Sequence, residues 1–165
     1  MRPFTETVPK PMLPVLGRPF LEHQLELLER NGIHKVLLLV GYLGDAIERH
    51  FGQGRDLSTK LAYSYEDKPM GTGGALKIAA DKLENDFLVL NGDTLLDIDY
   101  AAFVERFRSS GKTALVAAYL NASGQVPSNL DISNDDGPQR TKIVSVFCTQ
   151  ESDEIEMRQS IRSSR

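Results

Sequence analysis

The apolar positions along the chain fall into two kinds of run. In FLEHQLELLER, residues 20–30, Phe20, Leu21, Leu25, Leu27 and Leu28 recur close to the spacing of one helical face, and Asn31-Gly32 follows as a C-terminal stop. This spacing predicts a helix over 20–30. Residues Val36 to Val40, inside KVLLLVGY, form a continuous apolar run, the pattern of a strand covered on both faces. A helix is predicted next over 45–50, then an alternating, aromatic-rich strand over 61–66 and a helix over 75–83. DFLVLNGD carries a third buried strand over 87–90, followed by a helix over 100–108 and a fourth strand over 113–120. Strands alternating with helices of about ten residues predict a doubly wound α/β sheet, because parallel neighbours need crossover connections.

Beyond Asn121 the periodicity weakens. Short strands are expected over 129–132 and 142–147, set in loop-like sequence. The final TQESDEIEMRQSIRSSR is polar, with a helix only around 155–161 and little to bury, so it is expected to be frayed or disordered. The expected organisation is one domain over 1–147 and a polar tail over 148–165.

Composition narrows the function classes. The chain has 165 residues, 41% of them hydrophobic, enough for one core. Its 19 basic and 23 acidic residues give a net charge of -4, which leaves no electrostatic footprint for nucleic acid. The single cysteine, Cys148, has no disulfide partner within the chain and suits a reducing compartment, so a cytoplasmic location is expected. No apolar run approaches the roughly 20 residues that span a bilayer, and no membrane partner is expected.

Open α/β sheets bind ligands beyond the carboxyl ends of their strands, and three loops there carry unusual chemistry. In NGDTLLDID the strand over 87–90 runs into Asn91-Gly92-Asp93. Gly92 lets backbone approach a ligand, and a strand-end carboxylate at Asp93 is placed to hold Mg²⁺ together with substrate phosphates. Taken alone, NGD reads first as turn chemistry. In EDKPMGTGGALKIA, Gly71, Thr72, Gly73 and Gly74 precede a helix and offer backbone N–H groups to a planar or anionic ligand, although a structural loop explains them as well. Neither the GxGxxG nor the GK[ST] fingerprint is present. In TETVPKPMLPVLGRP, Pro9 and Pro11 are expected to hold Lys10 on a stiff, extended backbone. A lysine so placed is either a solvated charge or a phosphate contact.

Together, PKPMLPVLGRPFLEHQLELL, EDKPMGTGGAL and LVLNGDTLLDID, in this order and spacing, resemble the sugar-1-phosphate nucleotidyltransferases, especially the mannose-1-phosphate and heptose-1-phosphate guanylyltransferases. The resemblance covers about Met1 to Leu120. It implies a three-layer, Rossmann-like, mostly parallel sheet with helices on both faces. It also implies transfer of a nucleotidyl group, guanylyl for this branch, from a nucleoside triphosphate to a sugar 1-phosphate with release of pyrophosphate. By the same resemblance Lys10 contacts phosphate, Asp93 holds Mg²⁺, and Glu66 with Gly71, Thr72 and Gly73 reads the base. The partners implied are GTP and a sugar 1-phosphate, with self-association left open.

In the family a buried strand and a GGxGTRL loop precede the segment that here begins MRPFTE. The expectation is therefore a domain lacking the first strand and the loop arginine, with Arg2 the one arginine left near the site. At the other end IVSVF runs into CTQESDE without the family's Glu-Lys pair, and the second metal aspartate is not reached. A chain of this kind is expected to be inactive or impaired. The competing reading is a non-catalytic remnant or interaction module that retains some nucleotide affinity. An α/β glycosyltransferase ranks last, because Asp97-Ile98-Asp99 and Asp93-Thr94-Leu95 do not supply its D-x-D site; Asp97 and Asp99 read instead as helix-capping or sugar-side residues.

Overall fold

The computed structural model describes residues 7–54, 58–120, 130–134 and 137–149, with side chains described as far as residue 118. Arg2, the helix expected around 155–161 and the rest of the tail from residue 150 lie outside the described residues.

The first ordered feature is a single 3-10 turn, Lys10–Met12, rather than extended chain. Prolines fit the first turn of a helix, where their fixed φ is suitable and their missing N–H is not needed. The turn is closed by Met12 N–H to Pro9 O at 2.8 Å and Leu13 N–H to Lys10 O at 3.1 Å. Lys10 is still held on stiff backbone, by a turn instead of an extended segment. A small antiparallel hairpin follows, β1 (Pro14–Val15) and β2 (Arg18–Pro19), turning through Leu16 and Gly17, both at positive φ. Arg18 ties it to the next helix through Glu22 and Glu26, while the His23 ring lies 2.8 Å from Val15 O.

That helix, α1 (Phe20–Arg30), has the bounds its periodicity predicts and ends where Gly32 takes φ +76. Strand β3 (Lys35–Val40), helix α2 (Gly44–Phe51) and strand β4 (Lys60–Tyr65) form a parallel crossover unit in which Val40 pairs with Tyr65. One core cluster joins Leu21 and Leu25 of α1 to Val40, Ile47 and Leu61. Helix α3 (Gly71–Ile78) begins at the glycines themselves and not after them; a 3-10 turn, Ala80–Lys82, and β5 (Asp86–Leu90) follow. Glycine costs little in a first turn, and Gly74 is needed there: a Cβ at this position would fall 2.4 Å from Met70 Cβ.

Helix α4 (Tyr100–Ser110) starts at Asp99, whose Oδ1 accepts the Ala102 N–H at 2.9 Å. The capping role expected of Asp99 is thus present. Asp99→Ala is expected to cost about 1 kcal/mol in urea denaturation; an unchanged midpoint would show that the cap adds nothing. A second core cluster packs Leu27 and Leu28 of α1 on the buried Tyr100, against Leu88 and Leu90.

The last three strands change the sheet from the mostly parallel one expected. Strands β6 (Ala114–Leu120), β7 (Leu130–Asn134) and β8 (Gly137–Thr149) meet along β8, which pairs antiparallel with β5, β6 and β7. Thus β3–β4 is the one parallel pair among the described strands. The reason is local: β7 and β8, consecutive in the chain, pair antiparallel as far as Asn134 and Gly137, and β8 then runs between β5 and β6. Because β5 and β6 are both antiparallel to β8, they run in the same direction, as a crossover through α4 requires. Strand β8 runs on through Cys148 and Thr149, which pair with Phe87 and Asp86, two residues past the expected domain boundary.

Among the described residues no ladder joins β3 to β5, so the strands form separate sheets. Both line one cleft of about 900 Å³, walled also by Leu21, Leu25 and Leu28 of α1 and by Leu76 of α3.

Candidate functional site

Pro11 and Gly92, from two of the three chemically distinctive loops, both line the cleft. A Cβ built at Gly92 would lie 3.5 Å from Pro11 Cγ, so the proline of the Lys10 turn sits over the glycine of the NGD loop. Lys10 and Asp93 are both exposed, and neither side chain has a hydrogen-bond or ion-pair partner among the described residues. The NGD loop is a turn, with Thr94 N–H to Asn91 O at 3.3 Å, and no partner strand follows it directly. It is also pinned from α1: the Gln24 side-chain nitrogen donates to Asn91 O and Thr94 O, both at 3.0 Å.

The third loop is built on the parallel pair β3–β4. Both strands end at the same edge, and Glu66 N–H donates to Val40 O at 3.0 Å. The Glu66 side chain lies over Gly41, where a Cβ would meet Oε1 at 3.0 Å. Its other oxygen accepts Met70 N–H at 3.1 Å, which folds residues 66–70 into a short loop leading to Gly71, at φ +70. Helix α3 has no side-chain cap. The first amides of a helix have no intrahelical partner, so those of Gly71, Thr72 and Gly73 remain available as donors. The preceding Tyr65 gives its O–H to Glu48 at 2.5 Å, and that bond is the main reason its pKa is pushed up to about 12. Tyr65 is therefore a neutral donor at any physiological pH.

The arrangement thus brings the Lys10 turn to Gly92-Asp93, and Glu66 to the Gly71–Gly73 turn. Among the described residues no group of three or more His, Cys, Asp or Glu side chains could hold a metal. Asp93 alone, exposed and partnerless, fits an ion that fills most of its shell from water and substrate phosphates, as Mg²⁺ does, and not a caged structural ion. Two residues that the motif reading passed over also shape the site, Gln24 and Gly41. The signal for Gln24 was present: it is a polar residue inside the apolar stripe of Leu21, Leu25 and Leu28, and it is 6% exposed. Gly41 ends the apolar run of β3 and has no comparable signal.

Residues 1–125 match the family described as Nucleotidyl transferase. The chain belongs to that family. Among curated nucleotidyl transferases it is 41% identical over 111 residues to the mannose-1-phosphate guanylyltransferase of Mycobacterium tuberculosis, a match that covers 67% of this chain and 31% of that protein. It is also 41% identical over 99 residues to the D-glycero-alpha-D-manno-heptose 1-phosphate guanylyltransferase of Campylobacter jejuni, covering 60% of this chain and 44% of the relative. The chain thus spans less than half the length of the curated relatives it matches, 31% and 44% for these two. The solved structure of HddC from Yersinia pseudotuberculosis complexed with GMP-PN superposes with a TM-score of 0.70 at 29% identity, covering 86% of this chain and 68% of that one. No helix among the described residues is long and apolar enough to cross a membrane.

Proposed function

We propose that this nucleotidyl transferase chain carries the nucleotide half of a site that transfers a guanylyl group from GTP to a sugar 1-phosphate. The observation that carries the reading is the contact of Pro11 with Gly92, which joins a rigid turn bearing a free lysine to a strand end bearing a free carboxylate. In the reaction an oxygen of the sugar 1-phosphate forms a bond to the α-phosphorus as the bond to the β-phosphate breaks, and pyrophosphate leaves with the electron pair. Asp93 would hold Mg²⁺, which when bound neutralises charge on the phosphates. Lys10 is fixed at the phosphate end of the site and neutralises charge building on the departing pyrophosphate. Neither residue needs to form a covalent intermediate; both act by position and charge.

The base is assigned to Glu66 and the first turn of α3. A carboxylate only accepts hydrogen bonds, and guanine presents two adjacent donors, N1–H and the N2 amino group. The spare lone pairs on Glu66 suit that pair, and the uncapped amides of Gly71, Thr72 and Gly73 suit the neighbouring O6 acceptor. Thymine and uracil offer one donor between two acceptors, for which related enzymes often carry glutamine. Glu66→Gln is expected to cost on the order of 1–3 kcal/mol of GTP affinity with little change for UTP. Competition binding of GTP, UTP, dTTP and ATP by parent and variant measures it, and a parent that prefers UTP or dTTP would remove the guanylyl assignment.

The same reading assigns the cleft between β3 and β5 to the first strand that the resemblance implies. Such a strand would end at Pro11 and Gly92 and deliver the following glycine loop to the phosphates. A second reading, a nucleotide-binding module without catalysis, is compatible with the same cleft and is separated from the first by a measurement of turnover.

A further inference from the structure

We infer that Gln24 is a positioning residue that sets the Asn91–Thr94 turn and through it the direction of the Asp93 carboxylate. The inference rests on the metal reading of Asp93. Gln24 lies in the buried stripe of α1 and is 6% exposed, where an unpaired amide would be costly. Its amide nitrogen donates to Asn91 O and to Thr94 O at 3.0 Å each, across 67 and 70 residues of sequence. Both partners are backbone carbonyls, which only accept, so the nitrogen and not the oxygen must face them.

The two carbonyls bracket Gly92 and Asp93. Between them, apart from the Thr94 N–H to Asn91 O bond at 3.3 Å, nothing among the described hydrogen bonds fixes the backbone that carries the carboxylate. Gly92 is the most conformationally free residue type at the one place where direction matters. Gln24 removes that freedom from outside the loop, using both of its amide hydrogens at once. A partner behind a metal ligand tunes metal affinity even though it never touches the metal. Leu25, the next residue, shows the contrast: it is 1% exposed, packs with Val40, Ile47 and Leu61, and has no polar group to bond the loop.

The test uses the full chain and Mn²⁺ with excess GTP as the probe, read as paramagnetic broadening of the Gly92 and Thr94 amide signals. Parent, Gln24→Leu, Leu25→Ala and Asp93→Asn are compared, with urea midpoints recorded for each. Asp93→Asn is expected to abolish the broadening, and Gln24→Leu to shift its midpoint to about tenfold higher Mn²⁺. Leu25→Ala should lower the urea midpoint at least as much as Gln24→Leu while leaving the Mn²⁺ midpoint at the parent value. A Gln24→Leu midpoint equal to the parent's, or one matched by Leu25→Ala, overturns the positioning role alone. Equal broadening in parent and Asp93→Asn overturns the metal reading, and the role of Gln24 in metal binding falls with it.

Discussion

Asp93→Asn is expected to lower Mg²⁺-dependent guanylyl transfer at least about a hundredfold, the scale on which removing one fixed charge from a transition-state site acts. The fitting protein is a chimera in which the N-terminal strand and glycine loop of a guanylyltransferase relative precede Met1 and that relative's C-terminal portion follows Thr149. The substitution keeps size and hydrogen-bonding shape and removes only the charge, and Asp93 is exposed, so folding is not at stake. Because the carboxylate has no partner among the described residues, the loss has no ion pair to explain it except with a ligand. Turnover is measured across Mg²⁺ concentrations. Equal turnover by variant and parent removes Asp93 from the metal site.

The second large effect concerns the cleft. Among the described residues β3 pairs with β4, β5 pairs with β8 and no ladder joins β3 to β5, while both strands line the same opening of about 900 Å³. Unpaired backbone along such edges and apolar walls without a partner both cost stability. A strand placed between them that buries three aliphatic side chains contributes on the order of 5 kcal/mol. Joining a relative's strand and loop ahead of Met1 is therefore expected to raise the urea midpoint strongly and to steepen the transition, since more surface is hidden per molecule. The chain alone should unfold at low denaturant or pair with another strand. A chain that is monomeric and as stable as the fusion would mean that the cleft is not a strand slot.

The parts of this architecture that were legible in the sequence are those set by local periodicity. The α1 stripe and the β3 run translate directly, because one buried face or two buried faces leave a fixed spacing. What was not legible was set by contacts remote in sequence. Strand β8 is 13 residues long, although only its apolar centre reads as strand; its ends are ordered by pairing with β5, β6 and β7. Its antiparallel direction is seen in its pairing with β7, which runs from Leu130↔Thr141 to Asn134↔Gly137 in sequence that reads as loop-like. Lys10 was expected on extended chain because each flanking proline disfavours helix, yet two prolines at the start of a single turn are compatible with it. Of the candidate site, NGD and the glycine turn stand out by residue type and spacing and Glu66 only through the family resemblance, whereas Gln24 required the fold, since its partners lie 67 and 70 residues away.

In the proposed function these loops form the nucleotide side of a guanylyl transfer site. The most direct measurement is pyrophosphate release by the chimera supplied with Mg²⁺, one nucleoside triphosphate at a time and a panel of sugar 1-phosphates. Release is expected with GTP above UTP, dTTP and ATP, dependent on a sugar 1-phosphate and matched mole for mole by a GDP-sugar. A chimera that folds and binds GTP but releases no pyrophosphate with any sugar 1-phosphate, or one that releases it equally well when Lys10 and Asp93 are replaced by alanine, would contradict it.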